Sequence, residues 1–398
     1  MKPLRVDIEI PPYLCRSIEQ GVFYCSSDIR DSHVDRVSRR GIELTLCDDA
    51  DEEQVRTAVS TWIRDTVERT LVPEPKVVRQ WQVPAQGSNP RAPLSSPEAI
   101  MAAPWLREVG AGLLAFGPEG VVVLEGVSHA CRALGTACGA RPLRFPAAMP
   151  LATAQRCDCL RHFPQLLSMV SHLREDYAVL DAYSRRSGSA ALATNCSPAP
   201  HEVSPADKVL RPALCYQVYD HFAGTRLDAD PRLFSTEGAC FRYESRNLRC
   251  PDRLFEFRMA EIVALGTQET LLSWRDDMMN QVETLVTKLG LPGRIQREND
   301  PFFVDYAVMK STFQQAHDLK YELQVPFPNA DGHLAVASFN CHQDFFGRRF
   351  DISDRSGAPA WTTCTAFGVD RLVVSLVAHH GADVTTWPRG VRSLLDLA

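Results

Sequence analysis

Between residues 72 and 105 the chain turns rich in Pro, Gly, Ser and Ala, from Val72-Pro73-Glu74-Pro75 through Pro84 to Pro97, and this break limits how the rest can fold. Such a composition suits an exposed connector better than a packed element. The whole chain has 398 residues, more than one core usually encloses. The break divides it into a small module (residues 1–72), a linker (73–105) and a large unit (106–398). In the module, alternating apolar runs at residues 5–10 and 41–46 precede an amphipathic helical pattern over 51–71, which reads as a small α+β domain.

In the large unit, residues 118–138 hold the apolar run Val121 to Leu124 and then a helical pattern, and Arg141-Pro142-Leu143-Arg144-Phe145-Pro146 leads on to Pro150. Strand-like runs alternate with turns as far as Gly266. A helix is expected over residues 272–289 and further strands over 307–350. There is no internal repeat.

A net charge of -6 with 23% charged residues provides no broad basic field for a nucleic-acid backbone, which weighs against tRNA as a partner. The first ten residues lack an apolar signal core, and no stretch approaches the roughly 20 apolar residues of a spanning helix. A cytoplasmic protein without a membrane partner is expected. The 13 cysteines are scattered, unlike a secreted disulfide framework, and are expected to be reduced and packed as small hydrophobes. Cys157-Asp158-Cys159 reads as two ordinary thiols at a helix start.

Three stretches arrive in a telling order: Cys240-Phe241-Arg242-Tyr243-Glu244, residues 257–261, and residues 365–372 around Gly368-Val369-Asp370-Arg371. They resemble the signature motifs of class II aminoacyl-tRNA synthetases, and residues 118–150 resemble the helix-then-strand motif that builds their dimer interface. The resemblance implies an α+β fold, with an antiparallel sheet flanked by helices beside the N-terminal α+β module, and a homodimer. Within the class it points to seryl-tRNA synthetase over residues 210–381. Asp318-Leu319-Lys320-Tyr321-Glu322-Leu323, Pro326-Phe327-Pro328, Ser338, Asp344-Phe345 and Arg348-Arg349 are similar to that family's blocks.

By this resemblance Arg242 meets the α-phosphate and the amino-acid carboxylate, a task that suits a permanently charged fork of donors. Glu244 accepts hydrogen bonds from the nucleotide, Phe257 stacks on adenine and Arg371 meets the γ-phosphate. Ser338 and Lys320 are substrate-binding candidates. Ala213-Leu214-Cys215 stands where bacterial seryl enzymes have Thr-x-Glu. A zinc-dependent branch seen in methanogens holds its metal with Cys, Glu and Cys, which here match Cys215, Glu261 and Cys364. Three protein ligands leave an open fourth position on Zn²⁺ for a substrate amine. Ala335 replaces a glutamate that helps hold Mg²⁺ in the seryl enzymes, yet Mg²⁺ with ATP is still expected, since ATP oxygens and water can complete its shell.

No heptad pattern long enough for the tRNA-gripping coiled coil of bacterial seryl enzymes occurs before Trp105. A zinc-type seryl core without that arm looks like the amino acid:[carrier protein] ligases, which load glycine or alanine onto the phosphopantetheine thiol of a holo carrier protein. Two other readings stay open: a tRNA-charging enzyme with an unusual N-terminal RNA-binding module, and a non-catalytic paralogue acting as a binding subunit.

Overall fold

The computed structural model describes residues 1–35, 40–69, 76–83, 93–188, 197–298, 319–329 and 332–397. Asp318, the whole of the expected strand region before it, and residues 73–75 and 84–92 of the expected linker lie outside them. No described helix is long and apolar enough to cross a membrane.

In the N-terminal module the strand Ile42–Leu46 lies between Lys2–Val6 and Ile29–Val34, antiparallel to both. Alternate residues Leu4 and Val6, and Ile42, Leu44 and Leu46, turn inward as the two-residue pleat requires. The helix Glu52–Arg69 lays Val55, Val59 and Ile63, spaced four apart, on this sheet. Asp51 caps it by accepting the N–H groups of Glu53 and Gln54 at 3.1 and 3.0 Å.

The large unit is built on eight strands in the order Val77–Trp81, Gly293–Arg297, Lys320–Pro326, His333–Gln343, Trp361–Gly368, Glu256–Gly266, Arg232–Phe241 and Arg141–Leu143. All neighbours run antiparallel except the last pair. Period-two alternation gives the sheet two distinct faces. On Glu256–Gly266, Ala260 and Ile262 join the core under the helices Pro118–Ala137, Gln268–Lys288 and Val369–His380. Phe257, Met259, Val263 and Leu265 face the other way, toward the helices Cys215–His221 and Phe345–Phe350. The long helices start where local chemistry allows: Pro118 stands at the first helical turn after Gly117, and the Thr267 hydroxyl accepts the Thr270 N–H.

Three expectations need correction. The stretch 73–105 is not a plain linker, because Val77–Trp81 adds an edge strand beside Gly293–Arg297 and Trp81 Nε1 donates to the Leu291 carbonyl at 3.1 Å. Pro97–Met101 is a short helix capped by Ser96. The proline-rich average hid a β-branched, aromatic run of the kind that pairs readily. Residues 345–350, expected in a strand, form the helix Phe345–Phe350. The segment before Pro150 is two short strands, Arg141–Leu143 and Ala148–Pro150, in different sheets.

Candidate active site

The open face of the sheet carries two cross-strand rows. In one, Glu322 stands opposite Ser338, Ser338 opposite Ala366, Ala366 opposite Glu261, and Glu261 opposite Thr236. In the next, Lys320 faces Asn340, Asn340 faces Cys364 and Cys364 faces Val263. These rows floor a cavity of about 740 Å³. Arg242, Glu244, Phe257 and Arg371 line it, as do Lys320 and Ser338, and the three cysteine and glutamate candidates reach it too. All the named site candidates therefore meet in one place.

Cys215, Glu261 and Cys364 are buried, and one ligand atom from each lies within 4.8 Å of the others. Glu261 is held by the first turn of Cys215–His221: its Oε1 accepts the Leu214 N–H and its Oε2 the Cys215 N–H, both at 3.0 Å. Burial, and next the Cys364 sulfur, push its carboxyl up to about 7, while the Leu214 N–H and the Cys215 thiol pull back. A hydrogen bond from the Cys215 thiol, and further the imidazole of His342, hold Cys364 well below the ordinary thiol range; the same bond, together with burial, pushes Cys215 up. One sulfur of the pair is thus favoured as thiolate.

Arg242 follows the strand Arg232–Phe241, and its Nε donates to the Pro212 carbonyl at 3.1 Å. Its guanidinium lies 5.3 Å from the ring centre of Phe257, the residue that pairs with Cys240 two positions earlier. Glu244 pairs with Arg253. Arg371 leaves the first turn of Val369–His380 and donates to the Ala335 carbonyl at 3.1 Å. Lys320 Nζ stands 3.1 Å from Glu322, and Ser338 Oγ accepts from Asn340 Nδ2 at 3.1 Å. Cys157 and Cys159 are both buried, and Cys159 opens the short helix Cys159–His162.

Residues not singled out from the sequence complete the site. Asn340 Nδ2 and His342 Nε2 approach Cys364 Sγ at 3.5 and 4.0 Å, and Tyr219 Oη lies 3.3 Å from His342 Nδ1. The alternation Ser338, Asn340, His342 on one strand was the available signal. Buried Arg211 donates to the carbonyls of Ala239, Phe145 and Pro146 and to Gln217, tying the Arg242 strand to the chain before Pro150. Arg211 offered no motif, since only tertiary packing reveals what it joins.

Sheet, motif order and cavity define a class II aminoacyl-tRNA synthetase type of core, and the model of the tRNA synthetase class II core domain (G, H, P, S and T) matches residues 202–380. A crystal structure of A. aeolicus tRNASec in complex with M. kandleri SerRS shares the fold at TM-score 0.69 and 23% identity, over 99% of this chain and 77% of that one. Amino acid–[acyl-carrier-protein] ligase 2 of Bradyrhizobium diazoefficiens is 39% identical over 259 residues, 64% of this chain and 75% of the relative. Ligase 1 of that organism is 37% identical over 262 residues, 65% of this chain and 77% of its own length. The chain belongs to this family of amino acid–[acyl-carrier-protein] ligases.

Proposed function

We propose that this chain uses ATP to activate a small amino acid, glycine or alanine, as its adenylate and passes the aminoacyl group to the phosphopantetheine thiol of a carrier protein. The observation that carries this reading is the convergence of Cys215, Glu261 and Cys364 in one cavity with Arg242, Phe257 and Arg371, in a chain whose relatives are amino acid–carrier-protein ligases.

The donor set fits zinc. Two sulfurs and a buried carboxylate concentrate negative charge that a dry site tolerates only beside a cation, and each Glu261 oxygen keeps a lone pair after accepting its backbone N–H. Cys215, Glu261 and Cys364 would hold the ion. When bound, it supplies a Lewis-acid seat for a deprotonated α-amine and so selects substrates that have one.

In the first step a carboxylate oxygen of the amino acid attacks the α-phosphorus of ATP, and the bond to the β-phosphate oxygen breaks to release pyrophosphate. Arg242 and Arg371 offset the phosphate charge, Phe257 takes the adenine face, and Glu244 holds the nucleotide. Ser338 and Lys320 are assigned to the amino acid. Mg²⁺ enters with ATP, since Ala335 offers no carboxylate. In the second step the carrier's thiolate sulfur attacks the carbonyl carbon and AMP leaves with the electron pair; a thiol of pKa about 8.5 ionises to solvent without a dedicated base.

The helix Pro118–Ala137 leaves Val121 44% and Val122 52% exposed, which supports pairing of two copies as a homodimer, and use of ATP fits a cytoplasmic enzyme. ATP–pyrophosphate exchange across all twenty amino acids, with zinc measured on the same sample, tests the activation step. Loading assays then offer holo carrier protein and total tRNA side by side. Absence of exchange overturns the enzyme reading, and charging of tRNA alone overturns the acceptor.

A further inference from the structure

We propose that the N-terminal module is a positioning element for the ATP site, its Gln20 bracing the turn that carries Glu244. This rests on reading the cavity as the place where ATP binds. Asn247 Nδ2 donates to the Gln20 carbonyl at 3.0 Å, and the Asn247 backbone N–H donates to the Glu244 carbonyl at 3.0 Å. Ser245, with φ of 53°, starts the tight turn Ser245–Asn247 that reaches the module.

Both sides of this contact are firm. Gly21 packs so closely on Trp62 that a Cβ there would stand 2.6 Å from the indole ring, and Val22 is wholly buried in the module's core. On the other side, the Arg242 N–H donates to the Phe255 carbonyl at 2.9 Å and the Phe255 N–H to the Gly112 carbonyl at 2.8 Å. Arg253 meanwhile grips the Glu244 carboxylate. The module thus adds a third support to a turn already tied to the strands, and a turn ordered in advance costs less entropy when nucleotide binds.

The test uses full-length protein with Asn247→Ala and Asn247→Asp in ATP–pyrophosphate exchange. Each is expected to raise KM for ATP about five- to tenfold, the scale of one lost hydrogen bond. Turnover, KM for the amino acid, zinc content and Tm should stay near wild type, a split that a merely structural contact would not produce. Asn247→Asp keeps the size but turns its donor into an acceptor, so it should be no better than alanine. Unchanged KM for ATP in every variant, or an equal rise for both substrates, overturns the proposal. Exchange missing from the wild type would instead overturn the ligase reading beneath it.

Discussion

Glu261 and Cys364 stand diagonally across two antiparallel strands: Glu261 pairs with Ala366, and Cys364 pairs with Val263. Residues two apart on a strand share a face, so the carboxylate and the sulfur emerge side by side, with the small Ala366 opposite the glutamate on the Cys364 strand. The third ligand, the Cys215 sulfur, comes from the start of the helix Cys215–His221, whose first N–H bonds to Glu261. The trio is therefore assembled by sheet register and one helix terminus.

Removing the Cys215 sulfur should uncouple metal from fold. Cys215→Ala leaves two protein ligands, one fewer than a catalytic zinc site uses, while the strands that form the sheet are untouched. The expected outcome is loss of zinc by elemental analysis and loss of pyrophosphate exchange, with the far-UV spectrum of the wild type retained. A variant that keeps both zinc and activity would refute the assignment.

Arg242→Ala should slow activation by about 10²- to 10³-fold, or roughly 2.7 to 4 kcal/mol, the scale of losing one donor to developing charge. Arg242→Lys should recover little, because an ammonium cannot reproduce the two-pronged fork. Zinc content is the control, since Arg242 is outside the metal trio. Exchange at a near-normal rate in Arg242→Ala would place the carboxylate and phosphate contact elsewhere.

The site was more legible than the fold around it. Arg242, Glu244, Phe257 and Arg371 lie in short local motifs, and the trio of Cys215, Glu261 and Cys364 emerged by resemblance to a family, because such wide spacing alone predicts no contact. Asn340 and His342 could have been inferred from alternation with Ser338. The strand Val77–Trp81 was missed because it pairs with Gly293–Arg297, more than 200 residues away, as the Trp81 to Leu291 hydrogen bond spans, and window composition carries no information about so distant a partner. The same holds for Gln20 and Asn247, whose meeting is a product of packing between units.

Gly238 is a further position dictated by tertiary packing. A Cβ there would lie 2.1 Å from Arg211 Nη2, and Arg211 cannot swing aside freely because its other nitrogens are spent on Ala239, Phe145, Pro146 and Gln217. Gly238→Ala is expected to destabilise by about 1 to 3 kcal/mol, as overpacking of a dense interior does. The check is the urea midpoint at unchanged slope. A midpoint equal to wild type would mean that Arg211 can shift without losing its partners.

Asp370 supplies a pH dependence of defined sign. It is buried in the first turn of Val369–His380 and accepts the Arg258 N–H, yet burial outweighs that bond and raises its carboxyl from an ordinary 3.8 to about 6. Below about pH 4 the folded and unfolded chains both hold the proton. Between about 4 and 6 the unfolded chain releases it while the folded one retains it, so stability falls as pH rises, and above that window the loss is complete at about 3 kcal/mol. Asp370→Asn cannot ionise, and its side-chain oxygen can still accept from Arg258. The unfolding free energy of the variant relative to wild type, from urea titrations at pH 4 and pH 7, should therefore shift by about 2.4 kcal/mol in the variant's favour at the higher pH. Equal differences at the two pH values would show that Asp370 ionises as readily in the folded protein as in the unfolded chain.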